Sequence, residues 1–340
     1  DERLVRQVRG LLNRLGEANI QNIVGEVAML YAEKSRRLVS STVTSELLRA
    51  AAEGPRASER FAAVAAACLA GIAATARAQE VAAEFCAALA VEMDECYDRD
   101  ESRACHNLAR MVARMFSCGV IDTKLCYSFL EHLMARFGEL DVPLIVTVLT
   151  TCGTALRADD PAAMKDFVLA VHKRAAEVSA ERGGMSKRVE LMLETVVDVK
   201  NNRAARQGKG AAAGSSVTAA AALEGALPPA VLKWLKQVGV EDIKLRQLTW
   251  DKLLAKKKVG MWWLPTAAEG QLAKAAAMEA ERQGLAGKMA GGAELLKLAA
   301  DHRMNTDVRR AVFCVVMGSE DYLDAFEKLL RLGETLNPKP

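Results

Sequence analysis

Apolar side chains recur every three or four residues along the first 200 positions of the chain. This spacing places the apolar residues on one face of a helix and leaves charged residues, mostly arginines in the first run, on the other. The first run consists of Val5, Val8, Leu11, Leu12 and Leu15. Further runs predict helices over 20–31, 39–52, 58–75, 79–97, 102–117 and 122–137, followed by three helices that end near residue 200.

The last three predicted helices have recognisable N-terminal signals. Asp141 is expected to cap the eighth helix, with Pro143 in its first turn, where a missing N–H costs nothing. Asp160 and Pro161 form a cap followed by proline at the first helical position of the ninth helix. Ser186 is expected to cap the tenth helix.

The ten predicted helices form pairs, and a new pair begins about every 40 residues. That period is typical of HEAT-type repeats, in which helix pairs stack into a solenoid. The pattern therefore predicts an all-α fold: a HEAT-type α-solenoid of about five helix pairs.

The composition changes after the tenth helix. Residues 203–222 are rich in Gly, Ala, Ser and basic residues, which predicts a flexible linker. A poorly periodic stretch follows with Trp250, Trp262 and Trp263, and then Ala-rich helices over 266–303. The tandem tryptophans are costly to expose, so they either cap the end of the solenoid or dock on a partner. Two final helices after residue 304 indicate the opening of a second helical domain, truncated here.

The overall charge does not indicate a nucleic-acid-binding protein. The chain carries 46 basic and 43 acidic residues, for a net charge of +3. Basic residues cluster locally at 3–14, 200–209 and 252–258, and each cluster is either a solvated face or a nucleic-acid contact. The eight cysteines lie mostly within apolar helical runs, typical of buried thiols in a reducing compartment.

No catalytic, cofactor or metal motif is recognisable in the sequence. Phosphate-binding glycine loops and Cys-x-x-Cys pairs are absent, and Cys105 and His106 point about 100° apart on one helix. The acidic run at 94–101 is typical of a polar turn. The best candidate for a membrane span, 61–76, is shorter than the roughly 20 residues that such a span needs. We therefore expect no enzyme activity, no cofactor, no small-molecule substrate and no membrane association.

Two segments of the predicted solenoid resemble a known family. Residues 7–20 resemble the opening of an MIF4G domain, the HEAT-repeat middle domain of translation initiation factor 4G. Residues 188–202 resemble its closing motif, and segments 107–111 and 141–153 fall on the expected helices. The resemblance covers residues 3–203.

The rest of the chain resembles the nucleolar branch of that family, the NOM/Sgd type. Segments 250–254 and 260–263 are similar to its linker, and 304–310 and 319–330 to the start of its MA-3 domain. The resemblance implies three regions: an MIF4G domain at 3–203, a linker with a Trp-rich segment and Ala-rich helices at 204–303, and a truncated MA-3 domain at 304–340.

The resemblance also implies a function. MIF4G domains grip both RecA-like lobes of a DEAD-box RNA helicase, so we expect a nucleolar, non-catalytic scaffold in small-subunit (18S) pre-ribosome assembly. Its partner would be a helicase similar to initiation factor 4A. The partner-binding residues implied are Asn13, Arg14, Lys200, Asn201 and Asn202, where Asn13 and Arg14 match an Asn-Lys pair of splicing members.

Two alternatives remain open. One is a structural pre-ribosome factor that docks directly on RNA and ribosomal proteins through its basic clusters. The other is an MIF4G adaptor in splicing or translation. Trp250, Trp262 and Trp263 are candidates for a partner contact or a linker anchor.

Overall fold

A computed structural model describes residues 2–54, 57–182, 184, 186–201, 227–258 and 260–264, and five residues between 312 and 329. Within these ranges the secondary structure is helical, apart from an isolated parallel bridge between Ile121 and Leu245. The first ten helices are α1 (Glu2–Asn13), α2 (Ile20–Glu33), α3 (Arg36–Ala52), α4 (Glu59–Thr75), α5 (Gln79–Asp98), α6 (Ser102–Ser117), α7 (Thr123–Arg136), α8 (Asp141–Asp159), α9 (Pro161–Arg182) and α10 (Lys187–Lys200). Three shorter helices follow: α11 (Pro229–Gln237), α12 (Val240–Ile243) and α13 (Trp250–Leu254).

The helices stack in two layers. The even-numbered helices α2, α4, α6, α8 and α10 each pack on the next even-numbered one, and α1, α3 and α5 do the same in the second layer. Apolar faces from both layers form one continuous core. The prediction of an all-α, HEAT-type solenoid is confirmed.

Two of the three predicted capping residues act as caps. The Asp160 carboxylate accepts the Ala163 N–H at 2.9 Å, and the Ser186 hydroxyl accepts the Val189 N–H at 3.4 Å. Both side chains thus satisfy N–H groups that the first helical turn leaves without a partner.

The prediction that Asp141 caps α8 is wrong. Asp141 is the first residue of the helix, and its fully buried carboxylate accepts the Gly138 N–H at 2.8 Å and the Tyr97 hydroxyl at 2.9 Å. Arg136 completes the site with an ion pair at 3.1 Å. The side chain folds back because Phe137, with φ +52°, turns the chain sharply between α7 and α8. The carboxylate therefore joins three elements instead of capping one.

The turns of the solenoid lie on two opposite edges. Turns within a helix pair lie together on one edge, where Arg60 at the start of α4 pairs with Glu17 of the α1–α2 turn at 2.8 Å. Turns between pairs lie on the other edge, where Arg36 at the start of α3 donates to the Arg77 carbonyl of the α4–α5 turn at 2.8 Å. We call these the pair edge and the junction edge.

Residues 227–264, part of the region expected to be a linker, fold onto the solenoid. We call this segment the strap. Helices α11 and α12 contact α4 near the junction edge, and α13 packs against both α5 and α7. Helix α13 of the strap thus fills the space between two neighbouring helices of the odd-numbered layer.

Specific contacts hold the strap along its length. The backbone N–H of Trp250 donates to the Ser128 hydroxyl at 2.9 Å. The buried Trp250 ring stacks on Phe129, with ring centroids 4.3 Å apart. The Gln247 N–H donates to the Asp122 carboxylate at 2.8 Å. The strap and α7 therefore share both polar and apolar contacts.

Most of the other expected regions fall outside the described residues. These include 202–226 and, apart from the five residues mentioned above, the Ala-rich helices and the MA-3 start from 265 onward. The domain boundaries at 203 and 303 therefore remain predictions.

Within the part of the chain that the structure describes, one helix, α8, is long and apolar enough to cross a membrane. Core helices of soluble proteins pass the same test, and 56% of its apolar window is buried inside the fold. Helices α6 and α10 pack against it in the even-numbered layer. These contacts are those of a core helix in the stack.

Candidate partner-binding surface

Asn13 and Arg14 lie at the end of α1, on the pair edge, and both side chains are exposed. The Arg14 Nε donates to the Gly10 carbonyl at 3.2 Å, which directs the guanidinium along the helix end. Asn19 holds the turn: its amide donates to the Arg14 carbonyl at 2.6 Å and its oxygen accepts the Gly16 N–H at 2.8 Å. The fold therefore presents both candidate residues on a turn fixed by hydrogen bonds.

A groove of about 480 Å³ opens beside this turn, between the α1–α2 turn and the start of α4. Its floor is apolar and includes Leu15, Phe61 and Val64. Its rim carries the Arg60–Glu17 ion pair, and the Arg60 hydrogen bond holds the pKa of Glu17 below its usual range. An apolar floor with a charged rim can accept a side chain of a partner.

The second group of candidate residues lies at the other end of the solenoid. Lys200 is the last residue of α10, Asn201 follows it as the C-cap, and both are exposed. A basic residue in the last turn is favoured by the helix dipole. Val199 anchors the end of α10 against Gly153 of α8. Asn202 lies outside the described residues.

The structure does not bring the two groups together. Asn13 and Arg14 belong to the first helix pair and the pair edge, whereas Lys200 and Asn201 belong to the fifth pair and the junction edge. A partner that contacts both groups must span the stack of repeats. Two separate lobes of one partner satisfy this condition.

The three candidate tryptophans have different surroundings. Trp250 is 1% exposed and anchors the strap in the core. Trp262 and Trp263 are half-buried and pack edge to face, with centroids 6.0 Å apart and planes at 90°. The Lys258 ammonium lies 5.5 Å from the centre of the Trp262 ring. Only the tandem pair can therefore meet a partner while the strap stays docked.

A cluster of possible metal ligands lies near the α5–α6 turn, apart from these candidate residues. Ligand atoms of Glu53, Cys96 and Glu101 lie within 4.8 Å of one another. However, the Arg99 guanidinium lies 3.3 Å from the Cys96 sulfur and 3.2 Å from the Glu101 carboxylate. A cation would face this guanidinium, so we interpret the cluster as an ion-pair network. The buried Cys105 takes no part in it, and the His106 Nδ1 is 2.8 Å from the Ser102 carbonyl.

Sequence reasoning missed the groove and the docking site of the strap. The groove combines residues about 45 positions apart, which no local pattern reveals. The strap did leave a signal, because apolar residues recur every two to five positions from 231 to 253. These residues are Val231, Leu235, Val240, Ile243, Leu245, Leu248, Trp250 and Leu253, all of which are buried.

Comparison with known proteins supports the family resemblance. The MIF4G domain family matches residues 5–203. The human Nucleolar MIF4G domain-containing protein 1 is 32% identical over 344 residues, which cover 98% of this chain and 37% of the human protein. Suppressor of glycerol defect protein 1 of Schizosaccharomyces pombe is 27% identical over 358 residues, covering 99% of this chain and 44% of the relative.

A splicing relative matches a shorter part. The Pre-mRNA-splicing factor CWC22 homolog of Caenorhabditis elegans is 21% identical over 202 residues, or 59% of this chain and 21% of that protein. The chain spans less than half the length of each of these relatives. The names of the human and other nucleolar relatives agree with the nucleolar localisation expected from the sequence. The similarity to nucleolar members extends over nearly the whole chain. Since the family match covers more than half of the chain and follows the ten stacked helices, the chain belongs to the MIF4G domain family.

Proposed function

We propose that this chain is a non-catalytic scaffold that binds and stimulates a DEAD-box RNA helicase similar to initiation factor 4A during small-subunit pre-ribosome assembly. One observation carries the proposal: exposed polar residues stand at both ends of one continuous stack, Asn13 and Arg14 at the first repeat and Lys200 and Asn201 at the last. The similarity to nucleolar relatives over nearly the whole chain favours this branch over splicing or translation.

The chemistry of the first contact fits a helicase lobe. The Arg14 guanidinium offers several N–H donors in a planar fork that pairs with carboxylates. The groove whose lining begins at the following residue, Leu15, offers apolar surface for a partner side chain. A polar anchor next to an apolar pocket is the arrangement that hot spots of protein interfaces use.

The stack of helix pairs sets the separation between the two groups of contact residues. Each helix pair packs on its neighbours through the continuous core, so the distance between the two contact groups is fixed by the fold. A helicase whose two lobes bind the two ends is held at one lobe separation. Holding the lobes near their working geometry favours turnover over the fully open state.

The test is the RNA-stimulated ATPase rate of the 4A-like nucleolar helicase, with and without the whole 340-residue chain. The whole chain is required because the strap packs between α5 and α7. We expect stimulation by the wild type, loss in Asn13→Asp/Arg14→Glu, and a large reduction in Arg14→Glu alone. Lys200→Glu should weaken the second contact.

Arg103→Glu is the matched control, because Arg103 is an exposed arginine on the pair edge of the third helix pair. It should stimulate as the wild type does. If Arg103→Glu and Arg14→Glu reduce stimulation equally, charge alone is responsible and the first contact is wrong. If the wild type neither binds nor stimulates the helicase, the scaffold function is wrong for this chain, and direct docking on RNA and ribosomal proteins becomes the better account.

A further inference from the structure

The charge of the protein is concentrated on the strap. Residues 227–264 hold eight Lys or Arg and three Asp or Glu, a net charge of +5, whereas the whole chain has a net charge of +3. The rest of the chain is therefore slightly acidic. Two of the basic residues, Lys244 and Arg246, pair with Glu241 at 3.7 and 2.7 Å. Most of the net positive charge of the strap therefore comes from its other lysines.

The end of the strap combines this charge with aromatic rings. Lys256 and Lys257 are exposed immediately after α13. Lys258 follows, with its ammonium 5.5 Å from the centre of the Trp262 ring. Met261, at 67% exposure, and the half-buried Trp263 complete the same short segment. Four residues after the run of lysines, the chain therefore offers two aromatic rings.

This segment directly follows a helix that is anchored in the core. Trp250 and Leu253 of α13 are each 1% exposed and anchor the helix between α5 and α7. The two rings also pack partly against the apolar core. A partner that binds here does not have to order this segment first, so binding loses less entropy.

We propose that Lys256, Lys257 and Lys258 together with Trp262 and Trp263 form a docking surface for single-stranded nucleic acid, with RNA as the form available in the nucleolus. Lysine ammonium groups bind the phosphates, and an unpaired base stacks on the accessible part of the half-buried indole pair. Cationic grooves lined with stacking aromatic rings are the common design of proteins that bind single strands without reading sequence. A duplex hides its base faces, so this surface favours unpaired strands. The surface is distinct from the two proposed helicase contacts and stands without them.

The test is the binding of fluorescein-labelled oligo(U) to the 340-residue chain, measured by anisotropy at several salt concentrations. The variant Lys256→Glu/Lys257→Glu/Lys258→Glu removes the charges. Each phosphate contact in a single strand contributes about 0.7 to the slope of log K against log salt. The variant should therefore weaken binding and flatten the slope by about 2.

The control triple Lys165→Glu/Lys173→Glu/Lys187→Glu makes the same change in net charge at exposed positions on α9 and α10. It should leave the slope close to that of the wild type. Equal losses in the two triples would mean that binding follows net charge, which overturns the proposed surface. The absence of oligo(U) binding by the wild type at low salt also overturns it.

The stacking part has its own variants. Trp262→Ala/Trp263→Ala should reduce affinity at least about five-fold per stacked base without changing the salt slope. Trp262→Phe/Trp263→Phe keeps aromatic faces and should retain most of the affinity. Polyglutamate of equal charge should compete poorly, because it has no bases. If polyglutamate competes as well as oligo(U), the surface binds acidic protein segments and the proposal fails. Loss of helicase stimulation with intact oligo(U) binding would overturn only the scaffold function.

Discussion

The indole of Trp250 stacks on the phenyl ring of Phe129, with ring centroids 4.3 Å apart and planes inclined by 35°. The two residues are separated by 121 positions in the chain, and each is almost fully buried. Since Phe129 belongs to α7 and Trp250 to the strap, this contact makes the strap part of the solenoid core. The first prediction follows from it.

Trp250→Ala should lower the free energy of unfolding by about 3–5 kcal/mol, as other buried aromatic deletions do. The measurement is urea denaturation of the whole chain. Trp250→Phe should cost much less, since it keeps the ring contact and, among the described residues, the Trp250 Nε1 has no hydrogen-bond acceptor to lose. A loss below about 1 kcal/mol in Trp250→Ala would show that the strap does not contribute to the core.

Gly71 tests a second point of strap docking. A Cβ at this position would lie 2.5 Å from Cη2 of Trp234 and 3.1 Å from a Val24 methyl carbon. Glycine to alanine in a helix normally stabilises by about 1 kcal/mol. Gly71→Ala should instead destabilise the protein, because the Trp234 ring has to move.

Gly25→Ala in α2 is the matched control, since a Cβ there meets nothing within 4 Å. It should raise the melting temperature, whereas Gly71→Ala lowers it. In the background of Trp234→Ala, the added methyl at position 71 should be tolerated. Destabilisation by Gly71→Ala that persists without the Trp234 ring would point to Val24 as the source of the conflict.

The carboxylate of Glu46 joins α1 to α3 through charged hydrogen bonds. Arg9 donates to it at 2.8 and 2.9 Å, and Arg49 at 2.8 Å. The Arg9 hydrogen bond is the main reason that the pKa of Glu46 falls to about 2, despite the opposing effect of burial. Because the folded-state pKa is below the unfolded one, this carboxylate stabilises the fold above about pH 4.5. That stabilisation is lost as the pH falls towards 2.

Glu46→Gln should therefore cost about 1–2 kcal/mol at pH 7, the lower end for charged hydrogen bonds because both arginines are half exposed. The difference between wild type and variant should shrink between pH 4.5 and 2.5. Urea denaturation at a series of pH values measures it. A difference that is constant over this range would mean that the Glu46 charge has no part in stability.

The described cysteines predict a pattern of thiol reactivity. All seven are buried, and burial raises the pKa of Cys68 and Cys118 to about 12. Thiolate is the reactive form, so these seven thiols should resist iodoacetamide at pH 8 in the native protein and react on unfolding. Peptide mass spectrometry after brief labelling measures each site. Rapid native labelling of Cys68 or Cys118 would contradict the packing of α4 and α6.

The ten-helix solenoid was readable from the sequence because each helix carries its own apolar residues, on one periodic face in helices such as α1 and α6 and in a continuous run in α4. Caps such as Asp160 and Ser186 are local signals, since each binds an N–H three residues away. Asp141 has the same residue type in a similar position, yet its carboxylate binds Tyr97 and Gly138. That choice depends on a neighbouring helix, which the local sequence does not contain.

For the candidate partner-binding residues, too, part of the information is local in the sequence and part comes from the fold. The sequence identified Asn13, Arg14, Lys200 and Asn201 through a family motif, and the structure adds that they are exposed at opposite ends of the stack. It also adds the groove between the α1–α2 turn and the start of α4, which forms only when these two elements pack together.

The sequence by itself determined the helices, their pairing and the family, because these depend on residues close together in the chain. Only the tertiary structure showed where the Trp-bearing segment packs, since the sequence assigned this segment to a linker. Burial of Trp250 requires a site shaped by α5 and α7, more than 100 residues away. The physical reason is that hydrophobic burial is non-directional: an apolar sequence predicts that a residue will be covered, and only the packed fold determines by what.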